Sequence, residues 1–132
     1  MRRVSSIPHG KLHKAGEDYL ETILILQQTK GAVRSVDIAR KMNISKPSVC
    51  NAISVLSQAG HLTMDSDHFI HLTEEGRQNA ERIYARHRLL MDMLIQMGVD
   101  EKTAEEDACR MEHDISSVSF DALKKMWEKQ KP

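Results

Sequence analysis

Three short stretches carry side chains able to hold a divalent cation. Ala108-Cys109-Arg110-Met111-Glu112-His113 places a thiol, a carboxylate and an imidazole at i, i+3 and i+4, which share one face of a helix. Glu17-Asp18-Tyr19-Leu20-Glu21 places Asp18 and Glu21 at i and i+3, and His87 falls between the two stretches. Carboxylate oxygens suit hard cations, imidazole suits first-row transition metals, and a thiolate shifts preference toward softer ions. Asp18, Glu21, His87, Cys109, Glu112 and His113 therefore form a candidate divalent-metal site. Each has a plainer reading taken singly: Asp-x-x-Glu is frequent on exposed helix faces, and a lone histidine is more often packed or solvated. Cys-x-x-Glu-His is more specific, because a cysteine expected to be buried beside a charged pair needs explaining. The conjunction of all six on three separate helices carries the weight.

The elements that position them follow from hydrophobic period and end signals. Tyr19, Leu20, Ile23, Leu24 and Leu26 have helical spacing within a first helix from about Leu12 to Thr29, and Thr29-Lys30-Gly31 stops it. Ser35 is the expected cap of a short helix, Val36 to Met42, with Val36, Ile38, Ala39 and Met42 inward and Asn43 closing it in a left-handed turn. Ser45 caps the next helix, whose first positions accept Lys46-Pro47 and whose stripe Val49, Ala52, Ile53, Leu56 runs to Gly60. The period then changes: Leu62-Thr63-Met64 and Phe69-Ile70-His71-Leu72 predict two strands around the turn Asp65-Ser66-Asp67-His68. Thr73-Glu74-Glu75 opens a long helix to Gly98, another runs from near Asp100 to about His113, and Ser116 to Ser119 cap a last one, Phe120 to Lys131.

Helix, helix, turn, helix, hairpin is the order of a winged helix-turn-helix. Its second paired helix lies in the major groove and reads base edges with its N-terminal half. Here that half presents Lys46, Pro47, Ser48, Cys50 and Asn51, with Arg34, Ser35 and the wing turn holding the flanking backbone. Asn51 suits a bidentate contact to adenine, Lys46 a phosphate or guanine, and Ser48 a phosphate. Short polar residues also occupy any solvent face, so it is the ordered set of elements that points to double-stranded DNA. The other histidines, His9, His13, His61, His68 and His71, are assigned no more than a phosphate contact in the wing, and the eight methionines are read as core filling.

Bulk properties agree. The 132 residues, 40% hydrophobic and 29% charged, describe an ordinary globular chain, and 4% aromatics favour helix-on-helix packing. No apolar run approaches the roughly 18 residues needed to span a bilayer and no signal-peptide region opens the chain, so a cytoplasmic protein is expected. Cys50 and Cys109 lie in unlike motifs, which argues against a disulfide framework. The net charge is zero, yet Met1 to Gly16 carries four bases and no acid while Asp100 to Pro132 carries nine acids against six bases. That asymmetry suits a DNA-facing half and an acidic half.

Glu17-Asp18-Tyr19-Leu20-Glu21-Thr22-Ile23, Val36-Asp37-Ile38-Ala39, Lys46-Pro47-Ser48-Val49, Leu72-Thr73-Glu74-Glu75-Gly76, Arg86-His87-Arg88-Leu89-Leu90, Gly98-Val99-Asp100 and Asp107 through His113 together resemble the diphtheria toxin repressor and manganese transport regulator family of metal-dependent repressors. The resemblance spans almost the whole chain. It implies a mainly α fold with a small β-hairpin wing: a winged helix-turn-helix domain over residues 1–73 and a helical metal-binding and dimerisation domain over 74–132, with the metal lying between them. It also implies a homodimer on a pseudo-palindromic operator when one or two Mn(II) or Fe(II) ions per subunit are bound, repressing genes of metal homeostasis. Asp18 and Glu21 match first-helix ligands of the manganese branch, where the iron branch has methionine in place of Asp18. His87, Glu112 and His113 match ligands of both branches, whereas Cys109 matches the iron-branch cysteine. The site is a hybrid. Met91 and Glu105 stand where the iron branch has a glutamate and a histidine of an ancillary site, and with the sequence ending at Pro132 the two-domain layout of the manganese branch, without a third SH3-like domain, is expected.

Two other readings compete. A winged-helix regulator not gated by metal would keep its DNA affinity in chelator. A small metallohydrolase using Glu21 or Glu112 as base is disfavoured, because so large a ligand set leaves little room for an open coordination position and no other nucleophile or phosphate loop is evident.

Overall fold

Local side-chain chemistry sets the helix ends. The computed structural model describes residues 14–130, so the basic segment before Lys14, with His9 and His13, lies outside the described residues. Eight elements follow: α1 Lys14–Thr29, α2 Ser35–Met42, α3 Lys46–Gln58, β1 Leu62–Met64, β2 Ile70–Leu72, α4 Glu74–Gln96, α5 Glu101–Asp114 and α6 Ser117–Gln130. Asn43 closes α2 at φ 57°, ψ 49°, and Ser45 Oγ caps α3 by accepting from the Ser48 amide at 3.3 Å. Thr73 Oγ1 accepts from the Gly76 amide at 3.1 Å and Ser116 Oγ from Ser119 at 3.1 Å, so α4 and α6 each begin on an expected cap, while Asp100, accepting from Thr103 at 3.0 Å, caps α5. The cap of α2 is Arg34 instead of Ser35. Asp37 makes the difference, its carboxylate accepting from the Arg34 amide at 2.8 Å and fixing the first turn one residue earlier.

The chain divides into two compact units, one up to Glu81 and one from Arg82 onward. The division falls inside α4, two turns beyond the 73/74 boundary expected from sequence. The first turns of α4 are held to the first unit, where Thr73 donates to His61 O (3.1 Å, from its amide) and Gly60 O (2.7 Å, from its hydroxyl). In that unit α1 packs on α2, α3 and β2, and α3 on α2 and β1. Leu20, Ile23, Ile38, Val49, Leu62 and Ile70 are buried at its core. Val36, expected inward, is 42% exposed, because Ile38 takes the core position of this two-turn helix. The antiparallel hairpin pairs Leu62 with Leu72, Thr63 with His71 and Met64 with Ile70. Together these elements make a winged helix-turn-helix.

The second unit packs Leu90 of α4, Ala108 of α5 and Phe120 of α6 around one another, with Leu89, Met91, Ile115 and Leu123 at the edges. Met91 packs at the edge of that core, but four other methionines do not fill these cores. Met97 and Met126 are 69% and 59% exposed, and Met64 and Met111 are also on the surface. Ala104 and Ala108 of α5 are fully buried.

Candidate metal centre and DNA-reading face

The wing is pinned by one carboxylate. Asp65 Oδ1 accepts from the amides of Asp67 (2.9 Å) and Phe69 (3.0 Å), while Oδ2 lies 2.8 Å from His71 Nε2 across the hairpin. His68 adopts φ 69° to close the turn. The His71 hydrogen bond, and after it the Phe69 amide, hold the Asp65 carboxyl below its ordinary value. A lowered native value means that the contribution is complete above the ordinary aspartate pKa of about 3.9 and is lost as pH falls through the native value. In an NMR pH titration the Asp67 and Phe69 amides should shift together with a midpoint below about 3.9. A midpoint above that value would show that the pin does not form in solution.

Arg34 lies with its guanidinium 4.2 Å from the Phe69 ring centroid, and Ile70 N donates to Val33 O at 2.8 Å, so the segment before α2 is tied to the wing. An open groove results, lined by Arg34, Lys46, Cys50, Met64, Asp67 and His68. Lys46, Pro47, Ser48, Cys50 and Asn51 are all exposed on the N-terminal half of α3, and Ser35 is half-buried. Ser48 Oγ lies 2.9 Å from Ser45 Oγ as the acceptor, which leaves its own proton for an outside acceptor.

In the second unit the structure brings His87, Glu112 and His113 together. Glu112 on α5 is fully buried. Its Oε1 is 2.9 Å from His87 Nδ1 on α4, and its Oε2 is 3.2 Å from His113 Nε2. That second contact lacks hydrogen-bond alignment, so Glu112 Oε2 has no hydrogen-bond partner among the described residues. An acceptor sealed from water without a donor costs roughly 1–3 kcal/mol, and more for a charged group. A cation removes that cost. Two imidazoles and a carboxylate within 3.2 Å of contact form the nitrogen and oxygen set that first-row divalent ions take, so the residues present fit a metal. Cys109, one turn before Glu112, is expected to be buried but is exposed, and it is in no disulfide. Asp18 and Glu21 lie one turn apart on α1 in the first unit, Asp18 half-buried and Glu21 buried.

Sequence reasoning passed over Arg86. Its side chain is buried and donates from Nη1 to Glu112 O (3.0 Å) and Ile115 O (2.9 Å), and from Nη2 to Ser117 Oγ (3.1 Å). The available signal was register: Arg86 falls at i+3 in the stripe that begins at Ile83 and continues to Leu90, where an apolar residue is the norm.

Comparison with known proteins agrees with this architecture. Residues 11–68 match the model of the iron dependent repressor N-terminal DNA binding domain, and residues 73–131 that of the iron dependent repressor metal binding and dimerisation domain. An uncharacterised helix-turn-helix transcriptional regulator of Methanocaldococcus jannaschii is 34% identical over 115 residues, covering 86% of this chain and 92% of its own length. The transcriptional regulator MntR of Escherichia coli O6:H1 is 32% identical over 113 residues, covering 86% of this chain and 73% of its own. Among solved structures, the metal-dependent transcriptional regulator MtsR superposes with a TM-score of 0.80 at 27% identity, and the manganese regulator SloR with 0.77 at 28%. Each of these two covers 86% of this chain, which spans about half (53%) of theirs. Among the described residues no helix is long and apolar enough to cross a membrane. With both halves of the chain accounted for by the two models and a third of residues shared with full-length relatives, the chain belongs to the iron-dependent repressor family, a family of metal-dependent, DNA-binding transcriptional regulators and not of enzymes.

Proposed function

We propose that this chain is a cytoplasmic repressor of metal-homeostasis genes that binds a pseudo-palindromic operator as a homodimer when Mn(II) or Fe(II) is bound. The observation that carries the reading is the sealed Glu112 carboxylate with His87 and His113 against it. The proposed ligands are Asp18 and Glu21 from α1, His87 from α4, and Cys109, Glu112 and His113 from α5, with donors enough for one ion or two. Cys109 contributes through its thiolate or its backbone carbonyl.

A bound divalent cation supplies the positive charge that offsets these carboxylates. Without it, carboxylates gathered at one centre would repel one another, each close pair by about 1 kcal/mol or more depending on the local dielectric. With that repulsion offset, ligands from α1 and from α4 and α5 share one centre, so the DNA-reading unit is held in one arrangement. The paired α3 helices of a dimer then meet successive major grooves, roughly 34 Å apart. Lys46 and Ser48 grip phosphates, Asn51 reads a base edge, and Arg34 and Ser35 hold the flanking backbone.

DNA selected from a random library by the metal-loaded protein tests this reading. Footprints should show two protected half-sites about one helical turn apart in Mn(II) or Fe(II), and none in EDTA. Equal protection in EDTA would leave a winged-helix regulator not gated by metal. Lys46→Ala should weaken binding to all sequences alike and reduce the salt slope by about one.

A further inference from the structure

We propose that Arg86 is the positioning residue of the metal centre, acting as a tertiary cap on the turn of α5 that carries Glu112 and His113. The proposal rests on the reading that Glu112 and His113 are ligands. The last four carbonyls of a helix have no partner within it. At the end of α5 one guanidinium nitrogen accepts that task for two carbonyls, Glu112 O and Ile115 O, at 3.0 Å and 2.9 Å. The other guanidinium nitrogen reaches Ser117 Oγ at the start of α6, and the Phe120 ring lies 5.2 Å from the guanidinium carbon. A cation at a helix C-terminus also complements the macrodipole. Glu112 is therefore held twice from adjacent positions of α4: its main chain by Arg86 and its carboxylate by His87 Nδ1 at 2.9 Å. Arg86 donates to the main-chain carbonyl of Glu112. Groups that orient ligands in this way typically change metal affinity 10- to 100-fold when removed.

The test is a Mn(II) titration of the full chain followed by EPR, with the thermal midpoint of the metal-free protein measured alongside. Wild type should bind Mn(II) and Glu112→Gln should not. Arg86→Gln should bind about 10- to 100-fold more weakly and give a broadened bound-Mn(II) spectrum at saturation. Arg86→Lys, which keeps the charge and reaches one carbonyl, should fall between wild type and Arg86→Gln. A purely structural role would lower the midpoint alone, leaving affinity and spectrum of the folded protein as in wild type, and that result overturns the proposal. If Arg86→Gln does not fold, wild-type affinity and spectrum in Arg86→Lys overturn it equally. Failure of wild type to bind Mn(II) or Fe(II) would instead strike the metal-site reading itself.

Discussion

Replacing Glu112 with glutamine should abolish the thermal response of the protein to Mn(II) while leaving the metal-free protein about as stable as before. A ligand that binds only the folded state at 100 times its dissociation constant stabilises by about 2.7 kcal/mol. For a chain of this size that raises the midpoint by roughly 10 °C. Glutamine keeps the volume at a position with no exposed surface, and it can still accept from His87 Nδ1. The oxygen it replaces has no hydrogen bond to lose. Change in the metal-free midpoint should therefore stay within about 1 kcal/mol, whereas alanine would add a cavity. Calorimetry or dichroism melts of both proteins with Mn(II) and with EDTA decide it. An undiminished Mn(II) shift in Glu112→Gln would remove this residue from the ligand set.

Gly76→Ala should destabilise the first unit by on the order of 2 kcal/mol, despite alanine being the better helix former. Propensity alone favours alanine by about 1 kcal/mol in a helix interior. Against that, a Cβ at Gly76 would lie 1.8 Å from His61 O and 2.8 Å from His61 C, both backbone atoms that no rotamer change can move. The start of α4 would have to lift from His61, releasing the hydrogen bonds from Thr73 to Gly60 and His61. Overpacking of this kind costs about 1–3 kcal/mol and sometimes more, so the steric effect wins. The metal-free thermal midpoint measures it. A rise in midpoint would mean that the close approach of α4 to His61 does not exist.

What could be read in the sequence were the features written in local chemistry. Asn43, Ser45, Thr73 and Ser116 act within three residues of themselves, so their caps are visible without knowing the fold. The same holds for the Asp65 to His68 turn. Which side of a short helix faces inward is a tertiary matter, and there Val36, Met64, Met97, Met111 and Met126 went astray. The exposed Met97, Met126, Ile95 and Val118 are apolar residues on the surface of the unit that matches a dimerisation domain. His61, buried between the end of α3 and the start of α4, was assigned nothing because its place depends on Gly76, fifteen residues on. In the candidate site, residue types and spacing pointed to the proposed ligands. The sealing of Glu112 and the role of Arg86 depend on how α4, α5 and α6 pack, which residue spacing does not encode.

The central claim is that occupancy of a centre built on Glu112 sets DNA affinity. Fluorescence anisotropy of a labelled operator at fixed salt, comparing wild type and Glu112→Gln in Mn(II), in anaerobic Fe(II) and in EDTA, tests it most directly. The account predicts tight binding by wild type with metal only, and weak, non-specific binding by Glu112→Gln throughout. Equal affinity of wild type in all three solutions, or an unimpaired metal response in Glu112→Gln, would contradict it.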